Sequence, residues 1–542
     1  VKSAIIAALA LTVAMPAFAK GPAVDAPAGA VRGYKDGPVS VFKGIPYAQP
    51  PIGDLRWKPP LALPRWAGTK LATDFGPACV QNQRGPANIY SGAEKLPVSE
   101  DCLTLNVWRP AKAKKAPVLV WIHGGALTAG SSREPLYDGR PLAERGVVVV
   151  SINYRLGVLG WMAHPELSAE SAVGVSGNYG LLDQVAALQW IKANIGAFGG
   201  DPDNVTIAGE SAGGLSVMYL MASPAARGLF DKAIAQSAYM ISTPELTKGA
   251  FGAPSAEAVG QFVAKGVEAP DLAALRKLDA QELTEKAAKL GFAPFGTVDG
   301  KILPRQLVDT FDKGEQAPVP ILAGFNQGEI RTLTILAPKA PESAEEYEKQ
   351  IREKYGDLAD AFLKLYPAAD YRESILAATR DALYGWTAER LVRSQTAAGQ
   401  AAYLYLFDHG YPAMDDAGLH AFHASELPYV FGTPERVGPL WPRVPDTVQE
   451  RGMSDAMLGY WTSFAKSGAP VAAKAPEWHP YAHGGSFMWF GDVPTLSAGL
   501  MPGMFALNED VMCRKRATGQ VGWNWNVGLA SPVLPRPTSA CN

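Results

Sequence analysis

A chain of 542 residues, 47% of them hydrophobic, can bury a large core, and α/β enzymes of that length often fold as one domain. Its 50 basic and 52 acidic residues leave a formal charge of −2. With no basic excess to hold a phosphate backbone or an anionic membrane, the composition argues against nucleic acid as a partner.

Residues 1–19 join one early cation, Lys2, to a short apolar run ending in Ala17-Phe18-Ala19. That is the pattern of a secretory signal cleaved before Lys20. The expectation is a bacterial protein exported to the periplasm or the medium, with one domain over 20–542 and no membrane span in the mature chain. A membrane anchor is the alternative, but the run is short for a span.

Next comes "VFKGIPYAQPPIGDLRWKPPLALPRW", dense in proline and aromatic residues. Phe42, Ile45, Tyr47, Leu55, Trp57 and Trp66 demand burial, so this reads as extended, turn-rich structure and not as a linker. The runs 117–125 and 146–155 are almost wholly apolar, as central strands covered on both faces require. Residues 178–200 read as a helix with Leu181, Val185, Leu188 and Ile191 on one stripe and glycines at its end. A strand at 205–208, a helix after Ser211 and a strand at 232–238 follow. Two more strands are predicted at 319–325 and 401–407. Between them Ser343 and Glu346 make a capping box, opening a helix that turns Tyr347, Ile351 and Tyr355 inward. The charged residues at 345–354 are that helix's solvated face. Strands alternating with helices predict an α/β fold with a large, mainly parallel central sheet flanked by helices.

Four cysteines, Cys79, Cys102, Cys513 and Cys541, admit three pairings. The local pairing, Cys79 with Cys102 and Cys513 with Cys541, closes two loops of similar size, each stabilising the fold by about 3 kcal/mol on the chain-entropy model. The tail 521–542, with two tryptophans and several prolines, is expected to pack back on the domain through Cys541. No repeat, low-complexity tract or C-x-x-C motif is present.

The sharpest local feature is "NVTIAGESAGG" (204–214). A strand leads in, a helix leads out, and Ser211 stands between Gly209 and Gly213. A turn that tight exposes a serine hydroxyl at the C-terminal edge of a parallel sheet, where it can attack a carbonyl. By itself G-x-S-x-G is equally an ordinary glycine-rich turn. A serine nucleophile also needs a base, a carboxylate to orient it, and N–H donors for the oxyanion. "WIHGGALTAG" follows a strand and offers such amides at His123-Gly124-Gly125-Ala126.

These motifs, with "FKGIPYAQPPIGDLRWKPP" (42–60), "SEDCLTLNVW" (99–108), "NYRLGVLGW" (153–161), "GNYGLLDQVAALQWIKANI" (177–195) and "VDGKILP" (298–304), resemble the type-B carboxylesterase family in order and content. The likeness runs from about residue 30 to about residue 490. It implies an α/β-hydrolase fold in which long insertions around 80–98, 240–300 and 330–400 build a substrate gorge. It implies a serine hydrolase that cleaves a carboxylic ester through an acyl-enzyme on Ser211. Glu329, in "GFNQGEIRT", resembles the family's acid, and His423, in "HASELPYVFG", its base. The N–H groups of Gly125, Ala126 and Ala212 resemble the oxyanion donors, with Ala126 where the family often has a third glycine.

From chain order alone, five histidines lie after the serine, and His420 is the rival to His423. Asp299 and Glu315 are rivals to Glu329. Glu210 either tunes the base or merely packs the elbow. By resemblance, Arg56 with Glu100 and Arg155 with Asp183 are structural ion pairs. His420, His423 and Glu426 fall at a spacing that a metal face would use, but no third nitrogen ligand accompanies them, so neither a metal nor an organic cofactor is expected. Asn204 opens a glycosylation sequon that leads into an apolar strand, a poor place for a glycan. The expected partner is a small ester. Choline esters are disfavoured because the 79–102 loop has Tyr90 and no tryptophan as a cation platform, leaving aliphatic, aryl, and bulky xenobiotic or toxin esters. The competing reading is a non-catalytic binding or adhesion protein on the same scaffold. Nothing in the sequence sets the oligomeric state.

Overall fold

The structure, a computed structural model, describes residues 21–83, 88–90, 95–519, 522–523, 527–538 and 541. The expected signal at 1–19 and Trp525 of the tail lie outside them. Eleven strands form the main sheet: β1 (Tyr34–Asp36), β2 (Val39–Pro46), β3 (Thr104–Pro110), β4 (Ala116–Ile122), β5 (Val148–Ile152), β6 (Gly200–Glu210), β7 (Lys232–Gln236), β8 (Ile321–Asn326), β9 (Ala402–Phe407), β10 (Ser486–Phe490) and β11 (Pro494–Ala498). Their spatial order is β11-β10-β9-β8-β7-β6-β4-β5-β3-β2-β1. From β10 to β5 all neighbours run parallel, and the strands beyond are antiparallel.

The helices that position the site are α1 (Tyr179–Asn194), α2 (Ala212–Ala222), α3 (Ala344–Tyr355), α4 (Tyr371–Arg380), α5 (Trp386–Ala397), α6 (Leu427–Phe431), α7 (Val448–Ser467) and α8 (Met504–Thr518). Alternation along the central strands sorts the core into two layers. Val118, Val120 and Ile122 of β4 join Leu181 and Leu188 of α1 and Leu215 and Met218 of α2. Leu119 and Trp121, pointing the other way, join Tyr429 of α6 and Met457, Trp461 and Phe464 of α7. Covering both faces is what lets these parallel strands be continuously apolar.

The expected elements form, with edges moved by turn chemistry. The helix from 179 stops at Asn194, because a short turn ends at Gly199 with φ 80°. The strand foreseen at 205–208 begins at Gly200 and runs to Glu210. Ser343 caps α3 by accepting from the Glu346 N–H at 3.2 Å, and Tyr347, Ile351 and Tyr355 are its buried residues. The local cysteine pairing is present, with Cα separations of 5.0 Å for Cys79–Cys102 and 5.7 Å for Cys513–Cys541. The tail packs back on the domain. Trp523 is buried and donates to Met240 O at 3.2 Å, and the Leu534 N–H donates to Lys354 O at 2.8 Å. No helix among the described residues is long and apolar enough to cross a membrane.

Candidate active site

The junction of β6 and α2 explains its own glycines. Ser211 has φ 57° and ψ −121°, a left-side conformation that costs a non-glycine residue free energy and marks functional sites. A Cβ on Gly209 would meet Gly213 O at 2.5 Å, one on Gly213 would meet Ile122 O at 2.1 Å, and one on Gly214 would meet Gln236 O at 2.7 Å. The turn is therefore pressed against β4 and β7. Ser211 itself is tied down by its N–H, which donates to Gln236 O at 3.0 Å.

Beside it, the loop leaving β4 is shaped to present amides. His123 is buried and stacked 4.6 Å from Tyr154, whose hydroxyl donates to His123 O at 2.8 Å. Burial pulls the imidazole pKa down to about 4, against a weaker upward effect of its contact with Gly124 O, so this histidine is neutral scaffold. Gly125 has φ 104°, and a Cβ there would lie 2.2 Å from Ala129 O. Ala126 (φ 54°) and Leu127 (φ 58°) are non-glycine residues held in the left-handed region. Gly125 O accepts from the N–H groups of Thr128 and Ala129 at 3.0 Å. The Gly125 and Ala126 N–H groups have no hydrogen-bond partner among the described residues, and both residues are exposed. The Ala212 N–H lies in the first turn of α2, where no intrahelical acceptor exists. The Cβ position of Gly124 is 3.2 Å from Ser211 Cβ, which sets these amides against the serine.

The acid and base come from loops after β8 and β9. Gly328 and Phe422 form a parallel bridge, and the Gly328 N–H donates to Ala421 O at 2.9 Å. The Asn326 side chain adds a bond to Phe422 O at 2.9 Å. A Cβ on Gly328 would sit 1.8 Å from His420 O, so only glycine permits this approach. Glu329, 0% exposed, accepts a hydrogen bond from His423 Nδ1–H, and its other oxygen accepts from the Asn326 N–H at 2.8 Å. His423 is 5% exposed.

The far nitrogen, His423 Nε2, lies 3.1 Å from Glu210 Oε1. No hydrogen bond joins it to Ser211 among the described residues. The sequence leads one to expect three side chains in direct contact. The structure brings all three to one site but sets the carboxylate of Glu210, the serine's chain neighbour, at the nitrogen that should face the hydroxyl. Glu426 completes the acidic surround, accepting from Gln236 Nε2 at 2.8 Å and Asn326 Nδ2 at 2.6 Å. Burial pushes Glu210 up to about 8; the nearby imidazole opposes this, and Glu426 and Glu329 add to it. Burial also raises Glu426 to about 7, against the Asn326 hydrogen bond. His423 is pulled down by burial, but Glu210 and Glu329 outweigh that and carry it to about 9. Three carboxylates, Glu210, Glu329 and Glu426, thus act on the charge of one imidazole.

The rivals have other work. His420 is held between Asp408 (3.1 Å) and Asp415 (2.7 Å). Asp299 accepts from Asn178 and from the N–H groups of Lys301, Ile302 and Leu303, and Glu315 pairs with Arg305. His420, His423 and Glu426 face different partners: Asp408 and Asp415, Glu329, and Gln236 with Asn326. Arg56–Glu100 (2.6 Å) and Arg155–Asp183 (2.7 Å) are formed as expected. Two residues gain roles that the sequence left unassigned. Glu426 lies in the motif of the base, three residues on, and that spacing was its only signal. Tyr90 donates to His423 O at 3.1 Å and lies 2.6 Å from Thr332 Oγ1, tying the 79–102 loop to both catalytic loops.

The sequence profile of the carboxylesterase family matches residues 20–497. The chain is 38% identical over 484 residues to the fumonisin B1 esterase of Sphingopyxis macrogoltabida, covering 85% of each. It is 36% identical to the para-nitrobenzyl esterase of Bacillus subtilis (strain 168), covering 84% of this chain and 91% of that one. A solved carboxylesterase of Geobacillus stearothermophilus superposes with a TM-score of 0.75 at 34% identity, covering 90% of this chain and 99% of that one.

Proposed function

Because the chain belongs to the carboxylesterase family and is a carboxylic ester hydrolase, we propose that Ser211, His423 and Glu329 carry the reaction. Once Nε2 turns from Glu210 toward the serine, His423 takes the Ser211 proton as the oxygen adds to the ester carbonyl. Glu329 fixes the Nδ1–H tautomer and stabilises the imidazolium. The amides of Gly125, Ala126 and Ala212 receive the oxyanion, where prepaid orientation makes each donor worth more than in water. His423 then protonates the leaving alcohol, and water, activated by the same nitrogen, releases the acid from Ser211.

One observation carries the reading: a buried histidine bonded to a buried glutamate, beside a serine held at φ 57° next to open amides. Ser211→Ala is expected to lower kcat on an activated aryl ester by about 10⁵–10⁶. Near-normal turnover by that variant would overturn the assignment. The non-catalytic reading gains no support. The two disulfides are consistent with an exported protein. We propose 1–19 as the export signal, to the periplasm or the medium, with a single domain from residue 20; a mature N-terminus at Lys20 checks this.

A further inference from the structure

Helices α4 and α5 are one helical run interrupted by a π-helical turn, Asp381–Gly385. Such turns forfeit regular helical hydrogen bonds and recur at functional sites. This one is anchored from three sides. Asp381 Oδ1 accepts from Arg380 Nε at 2.7 Å, and Oδ2 accepts from Tyr366 OH at 2.9 Å. A Cβ on Gly385 would touch Phe325 of β8, the strand leading to Glu329, at 3.3 Å.

The turn's one aromatic side chain is Tyr384, 3% exposed. Its ring centroid lies 5.5 Å from that of His423 and 6.0 Å, edge-on, from that of Tyr239. Neither the Tyr384 nor the Tyr239 hydroxyl has a hydrogen-bond partner among the described residues. Burial foremost, then the neighbouring Glu329, Tyr239 and Glu210, holds the Tyr384 phenol far above its ordinary pKa, so it remains a donor. A hydroxyl beside the base with no protein acceptor is satisfied by water until a substrate displaces that water, and a substrate that brings no acceptor of its own then leaves the hydroxyl unpaired. With Glu329 and Glu210 close by, an uncharged acceptor is favoured over a carboxylate.

We propose that Tyr384, with Tyr239 beside it, donates a hydrogen bond to an uncharged substrate oxygen (an ether, hydroxyl or carbonyl near the scissile ester). It thereby selects oxygen-bearing esters over hydrocarbon isosteres. This rests on the serine-esterase reading above and names the substrate class of that same site.

The test compares two isosteric pairs. Para-nitrophenyl methoxyacetate against the butanoate varies the acyl half, and methoxyethyl acetate against butyl acetate varies the alcohol half. The oxygen-to-hydrocarbon ratio of kcat/KM, taken for the wild type and divided by that for Tyr384→Phe, cancels intrinsic ester reactivity. It is expected to be about tenfold or more for one pair. A purely structural role would lower both members equally and leave it near one, overturning the inference. If Tyr384→Phe does not fold, the wild-type ratio is set against the ratio of alkaline hydrolysis rates, and equality overturns the inference in the same way. Failure to cleave any of the four esters, with Ser211 unlabelled by a phosphonate, would instead sink the parent reading.

Discussion

Ser211 is fixed by its own chain neighbours and by the two strands flanking its own. Its glycines, its left-handed φ and its N–H bond to Gln236 all belong to the junction of β6 and α2 with β4 and β7. His423 and Glu329 are 94 residues apart and are fixed by each other's loops: the Gly328–Phe422 bridge, the Asn326 side chain and the buried Nδ1–H bond. The nucleophile is thus set locally and the acid–base pair at long range, with Glu210 standing at the joint between them. One half should tolerate distant changes, and the other should report them.

Short of removing the nucleophile itself, breaking the long-range half directly should have the largest effect. Glu329→Gln keeps the side chain's shape but favours the wrong imidazole tautomer, and kcat is expected to fall about 10⁴-fold. A loss below tenfold in steady-state assays would mean that Glu329 does not orient the base. Gly328→Ala asks the same of the backbone. Its Cβ must displace His420 O, so the bridge parts, with a loss of about 10² in kcat. The downfield proton resonance of His423 Nδ1–H should vanish as well. Gly213→Ala, which pushes on Ile122 O instead, should disturb the serine yet retain that resonance. Identical spectra for the two variants would erase the distinction between the halves.

Glu210→Gln probes the joint and has the smallest effect, a shift in pH dependence. The base works only when neutral, so kcat/KM rises with pH through the titration of the cluster. Burial lowers the His423 pKa, while Glu210 and Glu329 as anions raise it to a net of about 9. Removing one anion lowers it. The acid limb of kcat/KM should therefore move to lower pH by about one unit. A limb that stays put or moves to higher pH would show that Glu210 does not act on the imidazole.

The same division decides how much was legible in the sequence. The elbow could be read because its causes are adjacent: an apolar strand, two glycines around Ser211 and a helix. The capping box at Ser343 was readable for the same reason. Glu329 and His423 carry no local signature strong enough to exclude Asp299, Glu315 or His420, and family resemblance selected them. Three-dimensional pairing then gave each rival its own partner. What stayed hidden depends on contacts between distant segments. Glu210 at Nε2, the reach of Tyr90 to His423 O, and a π turn within an otherwise ordinary helical pattern leave no periodicity to detect. The edges of β6 and α1 shifted because glycine turns, and not hydrophobic pattern, set where they end.

The most direct measurement is covalent. The protein is treated with an aryl phosphonate and the adduct is mapped by peptide mass, in the wild type and in His423→Ala. One equivalent on the peptide holding Ser211 in the wild type, with labelling slowed by orders of magnitude in the variant, is the predicted result. An adduct on another residue, or unlabelled protein that still hydrolyses esters, would contradict it.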